Sequence, residues 1–497
     1  MMQKIQGYAL FGKQITYVII ANIITAILGI IQLPILTKAL GSSQYGAWTI
    51  IITAVSLITP FASLGFSTSL IRFQAAEKDI NKIREDFISA CVLVTLTGVI
   101  FSLLLFLLSG FLATSILKDV ALSSYLRIGS VLIVLSSIFP LLLAFFRRAS
   151  KIGTFSLLST GLNTLQVALI ILFVSLGYGL KGVIEAAILS AATLDIIGLF
   201  IIFKEIGFRF PKFSNMKTYL KWGVPLTPTS GIQWIISASD RYIVNYYLGV
   251  SATGIYNAAD TLGGYSSFAT MPVGTALFPV ISKTYDERKL DECRDYFKYS
   301  FKYLMMFSIP LTVGLSTLAK PLLRILTTPE FTFGTSVVAL ASLGGLLYCL
   351  YNLSMYVIYL VSKTKIQLQL LSLAAMLNIT LNVILIPRMG ILGAEVASVV
   401  AYTVLGVLGL IVSRRYFKFD LSLSVLAKSI LSSGFMAMCM WLIKPQSIFM
   451  LFISIVVGII AYFAFLILIG GFSKIELAFF MTFVKNNLKR SSSHSKN

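Results

Sequence analysis

Charged residues are scarce in this sequence of 497 residues: Asp, Glu, Lys and Arg make up 12%, whereas hydrophobic residues make up 57%. Soluble globular proteins carry about 25% charged residues, so this chain has too few charges to cover a surface in water. The mean hydropathy of +0.90 agrees with this. These values exclude a soluble enzyme, a secreted disulfide scaffold and a disordered regulator, and they indicate an integral membrane protein.

Histidine and cysteine are nearly absent as well. The single histidine, His494, lies in a polar tail, which excludes an intramembrane imidazole relay and a histidine-based catalytic triad. The four cysteines are scattered and form no CxxC pair, so they indicate no metal site. Phosphate-binding loops and HExxH motifs are missing too. We therefore expect no cofactor and no enzyme activity, with energy from an ion gradient, the substrate's own gradient or a partner.

Apolar segments recur along the whole chain and predict an all-α membrane protein with about 14 transmembrane helices. The predicted spans are residues 14–36, 46–70, 88–112, 123–146, 154–176, 182–203, 223–247, 254–281, 299–322, 335–361, 366–386, 391–413, 424–443 and 447–470. Loops on one side carry 30 Lys and Arg residues and loops on the other side carry 7. The positive-inside rule therefore predicts a multi-pass protein of the cell (inner) membrane with both termini in the cytoplasm. It also explains the net charge of +21 without a nucleic-acid partner.

Two short motifs occur twice at nearly equal offsets. Residues 40–48 (LGSSQYGAW) match residues 248–256 (LGVSATGIY) in Leu-Gly, a serine, a glycine and an aromatic residue. Residues 179–182 (GLKG) and 390–393 (GILG) form a second pair. Parallel repeats of this kind predict two six-helix lobes related by a pseudo-two-fold axis along the membrane normal. The predicted units are an N-terminal lobe (1–212), a C-terminal lobe (213–420), and spans 13 and 14 with a basic tail (421–497).

Several charged residues fall inside the predicted spans, where each costs about 2.5–3.5 kcal/mol on insertion scales. Asp240 and Arg241 are adjacent and point about 100° apart on a helix, so we expect each to find its partner on another span. Either Arg241 locks helices together in a salt bridge, or it presents its planar fork to an anionic substrate. Arg127 carries the same substrate hypothesis, with a position at the outer membrane interface as the alternative.

The other intramembrane acids are candidates for ion coupling. Asp195, Asp260 and Glu395 are candidate proton or sodium sites, with hydrogen bonding inside the helix bundle as the alternative. Most of the intramembrane charges, including Glu185, fall in the predicted outer half of the membrane. This distribution predicts a polar cavity between the lobes.

Several of these segments resemble one known family. The stretch 33–41 (LPILTKALG), with 45–48 (YGAW) and 64–65 (LG), is similar to the opening of prokaryotic polysaccharide flippases. The segments 222–226 (WGVPL), 239–242 (SDRY), 254–256 (GIY) and 378–397 are similar to later parts of the same proteins. The chain thus resembles the Wzx-type O-antigen flippases of the multidrug/oligosaccharidyl-lipid/polysaccharide (MOP) exporter superfamily.

The resemblance implies a function. Such flippases move a polyprenyl-pyrophosphate-linked oligosaccharide from the cytoplasmic to the outer leaflet by alternating access, for O-antigen, capsule or exopolysaccharide. The implied partners are this substrate and membrane lipids, with a glycan polymerase and other assembly proteins as further candidates. Cavity cations are thought to meet the diphosphate, a role that maps onto Arg241. The lipid II flippase of the superfamily has cations on span 1 where this chain has Asn22, which favours a surface glycan over peptidoglycan.

We therefore place Arg241, Arg127, Asn22 and Asp240 at the predicted substrate cavity. Two other functions stay open as alternatives. A cation-coupled multidrug exporter of the same superfamily is disfavoured by the Asp240-Arg241 pattern and by the two additional spans. A membrane-embedded glycan polymerase or glycosyltransferase is disfavoured by the short predicted outer loops, which leave no room for an acceptor-binding domain.

Overall fold

The structure is a computed structural model that describes residues 2–75, 77–472 and Glu476, with the backbone alone at 2–15, 271–276, 278 and 279. Every regular element in these residues is helical. The first half of the molecule, defined here as residues 2–206, contains α1 (Met2–Ala62), α2 (Phe66–Gln74), α3 (Ile80–Phe111), α4 (Leu122–Gly129), α5 (Val131–Arg148), α6 (Ile152–Ser175) and α7 (Gly179–Ile206).

A connecting segment with the short helix α8 (Met216–Gly223) leads to the second half, defined as residues 224–416. The second half contains α9 (Thr227–Leu248), α10 (Val250–Gly264), α11 (Thr270–Asp286), α12 (Leu290–Thr317), α13 (Ala319–Leu326), α14 (Thr335–Leu360), α15 (Thr364–Met389) and α16 (Ile391–Tyr416). Two further helices, α17 (Leu423–Ile443) and α18 (Ile448–Leu468), pack against each other, and α17 packs on α12.

Long apolar helices dominate because a bilayer offers no hydrogen bonds to the backbone, and a helix satisfies its own. Ten stretches of the described chain are long and apolar enough to cross a membrane, or eleven if the bent pair α12–α13 counts as one span. The all-α membrane fold is thus confirmed. The exact number of fourteen spans stays a prediction, partly because one of these stretches, Thr16–Ala62, contains a break.

Glycines produce the breaks that the repeated motifs predicted between spans. Gly41 interrupts α1 with φ 65° and ψ 179°, and Gly249 separates α9 from α10 with φ 86° and ψ 174°. Only glycine adopts this backbone conformation without strain. The second motif behaves in the same way, since Gly179 and Gly390 also have positive φ. The two copies of each motif therefore share a local conformation as well as a sequence.

Other span boundaries differ from the prediction. The predicted span 46–70 ends at Ala62, because Leu64 and Gly65 both have positive φ, and α2 begins after them. The predicted span 254–281 is interrupted by a 3-10 turn over Tyr265–Ala269. The helix over the predicted span 299–322 bends by 63° between α12 and α13. Hydropathy alone does not register these turns, since their residues are apolar or small.

The two halves touch through backbone at the first repeated motif. A Cβ added to Gly46 would lie 2.0 Å from the carbonyl oxygen of Val250, and one added to Gly254 would lie 2.1 Å from that of Ser42. The contact is reciprocal, because Ser42 and Val250 occupy equivalent positions in the two copies of the motif. The two copies of the motif therefore form one close contact through equivalent residues. The hydroxyl oxygens of Ser42 and Ser251 lie 2.5 Å apart beside it.

The connecting segment packs on the first half at the opposite end of the molecule. Asp86 on α3 accepts hydrogen bonds from the amide of Asn215 at 2.9 Å and from the hydroxyl of Tyr219 at 3.0 Å. A Cβ added to Gly65 would lie 2.4 Å from the carbonyl oxygen of Gly223. Met216 and Tyr219 belong to the apolar core of the first half. α8 is therefore held by the first half, although the predicted lobe boundary lies before it.

Candidate functional site

The pair α9 and α10 positions the strongest cluster of charged residues in the spans. Gly249 turns the chain so that these two helices pack against each other. Asp240 and Arg241 on α9 then face Tyr256, Asn257 and Asp260 on α10. Both helices contain small residues, so their side chains approach closely enough for direct hydrogen bonds.

Every nitrogen of the Arg241 guanidinium has a partner. Nε donates to Oδ1 of Asn257 at 2.8 Å, and Nη2 donates to Oδ2 of Asp260 at 2.6 Å. Nη1 donates to Oδ1 of Asp240 at 3.0 Å and to the carbonyl oxygen of Ser237. The sequence-based expectation that the adjacent residues Asp240 and Arg241 do not pair was therefore wrong, because the long arginine side chain folds back along its own helix. The expected partner on another helix is Asp260.

The remaining oxygen of Asp240 is satisfied as well. Oδ2 of Asp240 accepts a hydrogen bond from the hydroxyl of Tyr256, which is fully buried. The side chains of Asp240 and Arg241 are 4% and 12% exposed, whereas that of Asp260 is 27% exposed. Arg241 is thus enclosed by its acidic neighbours, and the outward part of the cluster is a carboxylate.

The cluster also connects the two halves. The amide of Asn257 donates to the hydroxyl oxygen of Tyr45 on α1 at 3.0 Å. Nearby, the hydroxyl of Tyr242 donates to the carbonyl oxygen of Ile50 at 3.2 Å, and the indole of Trp234 donates to that of Thr53 at 3.2 Å. Movement of the halves relative to each other would therefore disturb the hydrogen bonds around Arg241.

A cavity of about 340 Å³ adjoins the cluster. Asp260 and Glu395 line it, together with Gln233, Ile236, Ser237, Gly264, Ser267, Ala341, Gly345, Tyr348, Leu371, Tyr402 and Leu405. All of these residues belong to the second half. The sequence predicted a cavity between the lobes, so this cavity differs from that expectation: it lies within one half, and its charged lining is acidic.

Glu395 is buried in this wall with 2% exposure, and its Oε2 has no hydrogen-bond partner among the described residues. Asp240 and Asp260 share the Arg241 guanidinium, and Glu395 adds a third carboxylate to the cavity that Asp260 lines. A buried excess of negative charge is costly unless protons or cations balance it. The described residues contain no cluster of three or more His, Cys, Asp or Glu side chains that would hold a metal ion.

The other predicted site residues lie apart from this cluster. Asp195 is buried on α7 in the first half, and neither of its carboxylate oxygens has a partner in the described structure. Arg127 is exposed on α4, where its Nε donates to the hydroxyl oxygen of Ser109 at 3.1 Å and its guanidinium lies over Phe106. Asn22 is half-buried on α1. Glu185 is 3.7 Å from Lys181 on the same helix.

Sequence reasoning missed three members of the cluster. Tyr45 and Tyr256 were noticed only as motif positions, and Asn257 was not singled out. The signal was present, since Asn257 and Asp260 are one turn apart on the helix that follows Gly249. A polar stripe of that spacing beside a repeated glycine indicates a face directed at a neighbouring helix.

Comparisons with known proteins agree with this architecture. The model of the polysaccharide biosynthesis protein family matches residues 11–285, more than half of the chain, and the MatE model matches residues 225–384. The probable low-salt glycan biosynthesis flippase Agl15 of Haloferax volcanii is 21% identical over 89% of this chain and 93% of its own length.

Two solved structures share the fold. The lipid II flippase MurJ in an inward closed conformation gives a TM-score of 0.77 at 19% identity, covering 92% of this chain and 99% of its own. An inward-facing MATE family multidrug resistance transporter of the MOP superfamily gives 0.68 at 15% identity, covering 81% and 95%. These similarities indicate a transporter. The chain belongs to the polysaccharide biosynthesis protein family of the MOP superfamily.

Proposed function

We propose that the protein flips a polyprenyl-pyrophosphate-linked oligosaccharide across the cell membrane by alternating access between two symmetry-related halves. The names of MurJ and Agl15 support the class of substrate. The observation that carries the mechanism is the reciprocal contact of Gly46 and Gly254. At these small residues the two halves meet through backbone, and their separation would also break the contacts that Tyr45 and Tyr242 make across the same interface. The loops on the side of the two termini carry 30 Lys and Arg residues against 7 on the opposite side, which supports cytoplasmic termini in this proposal.

In the proposed mechanism, Arg241 contacts the diphosphate. Its planar fork suits phosphate oxygens, but Asp240 and Asp260 hold it in the conformation described here. Protonation of the partly exposed Asp260 removes the charge that binds Nη2 and frees this nitrogen for the substrate. Proton or cation uptake at Asp260 and Glu395, and at Asp195 in the first half, is the proposed source of energy. Asn22 and Arg127 stay predictions as further substrate contacts.

One observation favours a second candidate function. The cavity in the second half combines two carboxylates with the rings of Tyr348 and Tyr402, and aromatic rings with nearby negative charge bind organic cations. The MatE model covers much of this region. A cation-coupled multidrug exporter is therefore the alternative.

A depletion experiment separates the candidates. In cells depleted of the protein, complete lipid-linked oligosaccharide should accumulate in the inner leaflet, as measured by its protection from an external glycosidase. Accumulation in the outer leaflet would indicate a polymerase instead. Unchanged glycan with raised sensitivity to cationic drugs would indicate the exporter.

A cross-link tests alternating access directly. Ser42 and Ser251 already touch, so the double variant Ser42→Cys/Ser251→Cys should form a disulfide under oxidation. Flipping in proteoliposomes should stop on oxidation and return on reduction, while either single variant should be unaffected by both treatments. Full transport by the oxidised double variant would overturn the proposal that the halves separate here.

Arg241→Lys tests the diphosphate contact. Lysine keeps the positive charge between the acids but loses the two-pronged hydrogen bonding, so export should fall at unchanged membrane abundance. Normal export at normal abundance would remove Arg241 from the substrate site.

A further inference from the structure

We propose that the segment joining the two halves, residues 207–222, is a binding surface for anionic phospholipid headgroups. This inference goes beyond the proposed transport and does not depend on it. The segment follows directly from the end of the long apolar helix α7, so it lies where the headgroups of a bilayer are found.

The charge of the segment is of one sign. Residues 206–222 contain four basic residues, Arg209, Lys212, Lys217 and Lys221, and no acidic residue. All four are exposed, and none has an ion pair within 4.0 Å among the described side chains. Clusters of four or more basic residues next to a membrane span are attracted to anionic lipids.

Aromatic side chains lie among these basic residues. Phe208 and Phe210 are 63% and 81% exposed. The rings of Phe203, Phe208 and Phe210 form a chain with centroid distances of 5.8 and 5.9 Å, which extends from the end of α7. Exposed phenylalanines beside lysine and arginine are typical of segments that lie in the headgroup region, with the rings buried and the cations at the phosphates.

The fold holds the segment with its basic side outward. Met216 and Tyr219 are buried against the first half, and Asp86 fixes the segment through Asn215 and Tyr219. On α8, Lys217 and Lys221 are one turn apart and both exposed, opposite these buried side chains. The cations therefore form a preorganised surface.

The loop between α11 and α12 also contains several basic residues, but most of them form ion pairs with neighbouring acids. Near the end of α11, Lys283 and Lys289 pair with Glu287 at 3.9 and 2.9 Å, and Arg294 pairs with Asp291 at 2.7 Å. Lys289 lowers the pKa of Glu287, so this acid is charged at neutral pH. By the predicted topology this loop lies on the same side of the membrane as the connecting segment. It supplies a matched control.

The test uses the full-length protein in nanodiscs and a variant in which Trp222 is the single tryptophan (Trp48→Phe/Trp234→Phe/Trp441→Phe). Trp222 lies at the end of the proposed surface. Brominated phosphatidylglycerol quenches nearby tryptophan and should quench Trp222 at least two-fold more than brominated phosphatidylcholine does at equal content. The difference should disappear at 1 M salt, roughly the concentration at which the Debye length falls to about 3 Å.

Two sets of substitutions complete the test. Replacing the four basic residues of the segment by glutamine should abolish the preference for the anionic lipid. Replacing Lys283, Lys289, Arg294 and Lys298, each of which pairs with an acid, by glutamine should leave it unchanged. Equal quenching by both lipids in the starting variant, or loss of the preference in both quadruple variants alike, would overturn the proposal. The salt titration needs no substitution in the segment, so it decides the question even if the first quadruple variant does not fold.

Discussion

Asp195 in the first half and Asp240 in the second half are buried acids with opposite surroundings. In the second half, Asp240 and Asp260 share Arg241, and Asp260 with Glu395 borders a cavity. In the first half, Asp195 has no partner on either oxygen, and the hydroxyls of Ser156 and Thr160 on the adjacent α6 likewise lack partners in the described part of the chain. The two halves thus share the breaks at the repeated glycines but differ in the partners of these buried acids.

This difference shows that the positions of the helix breaks and the positions of the buried charged residues are independent of each other. The repeated glycines set where the chain turns, and they do so equally in both halves. The charged residues Asp240, Arg241 and Asp260, in contrast, lie beside only one copy of the first motif, the one that turns at Gly249. The second half therefore holds the paired charges, and the first half holds Asp195 without a partner among the described residues.

Removal of Arg241 should lower the stability of the protein more than any other substitution considered in this comparison of the halves. Arg241→Ala leaves the buried Asp240 and the partly exposed Asp260 without their cation, so we expect a loss of about 3–5 kcal/mol in the free energy of unfolding. Thermal unfolding in detergent measures it. The double variant Arg241→Ala/Asp260→Asn should recover part of the loss, since one uncompensated charge is gone. An unchanged melting temperature in Arg241→Ala would mean that the ion pairs do not hold the helices together.

The glycine contact between the halves should be the next most sensitive position. Gly254→Ala places a Cβ against the carbonyl oxygen of Ser42, so the halves must shift apart. We expect this shift to lower the free energy of unfolding by about 1–3 kcal/mol. Oxidative cross-linking of Ser42→Cys/Ser251→Cys should become several-fold slower in this background. Gly264→Ala on the same helix is the control, because its Cβ would meet nothing within 4 Å. Equal cross-linking in both backgrounds would contradict the tight contact.

Apolar replacement of the acids should have opposite signs in the two halves. Asp195→Leu removes two unpartnered oxygens and should stabilise the protein by about 1–2 kcal/mol. Asp240→Leu removes the partner of Arg241 and Tyr256 and should destabilise it. Melting temperatures of the two variants, measured together, check the prediction. A destabilising Asp195→Leu would show that this acid has a partner in the membrane-embedded protein.

Arg127 should have the smallest effect. It is exposed and makes one hydrogen bond to Ser109, so Arg127→Gln should change the free energy of unfolding by less than about 1 kcal/mol. Export should fall much less than in Arg241→Lys. A strong export defect at normal abundance would contradict this ranking of the two arginines.

Much of the fold was predictable because helix formation in a bilayer is a local requirement. The spans 182–203 and 391–413 fall within α7 and α16, and the breaks at Gly41 and Gly249 lie between predicted spans. The interruptions at Tyr265–Ala269 and at Leu64 were missed, because they interrupt apolar sequence and depend on packing rather than polarity.

The amino-acid sequence by itself determined that this chain is an integral membrane protein, that it turns at repeated glycines and that charged residues lie inside its spans. These properties follow from composition and from the conformations each residue allows. Only the tertiary structure decided that Arg241 is enclosed by Asp240, Asp260 and Asn257. It also decided that Asp195 has no hydrogen-bond partner among the described residues, and that the second half alone lines the cavity beside Asp260. Partnerships between side chains depend on how each helix is rotated against its neighbours, and that rotation results from the packing of the whole bundle.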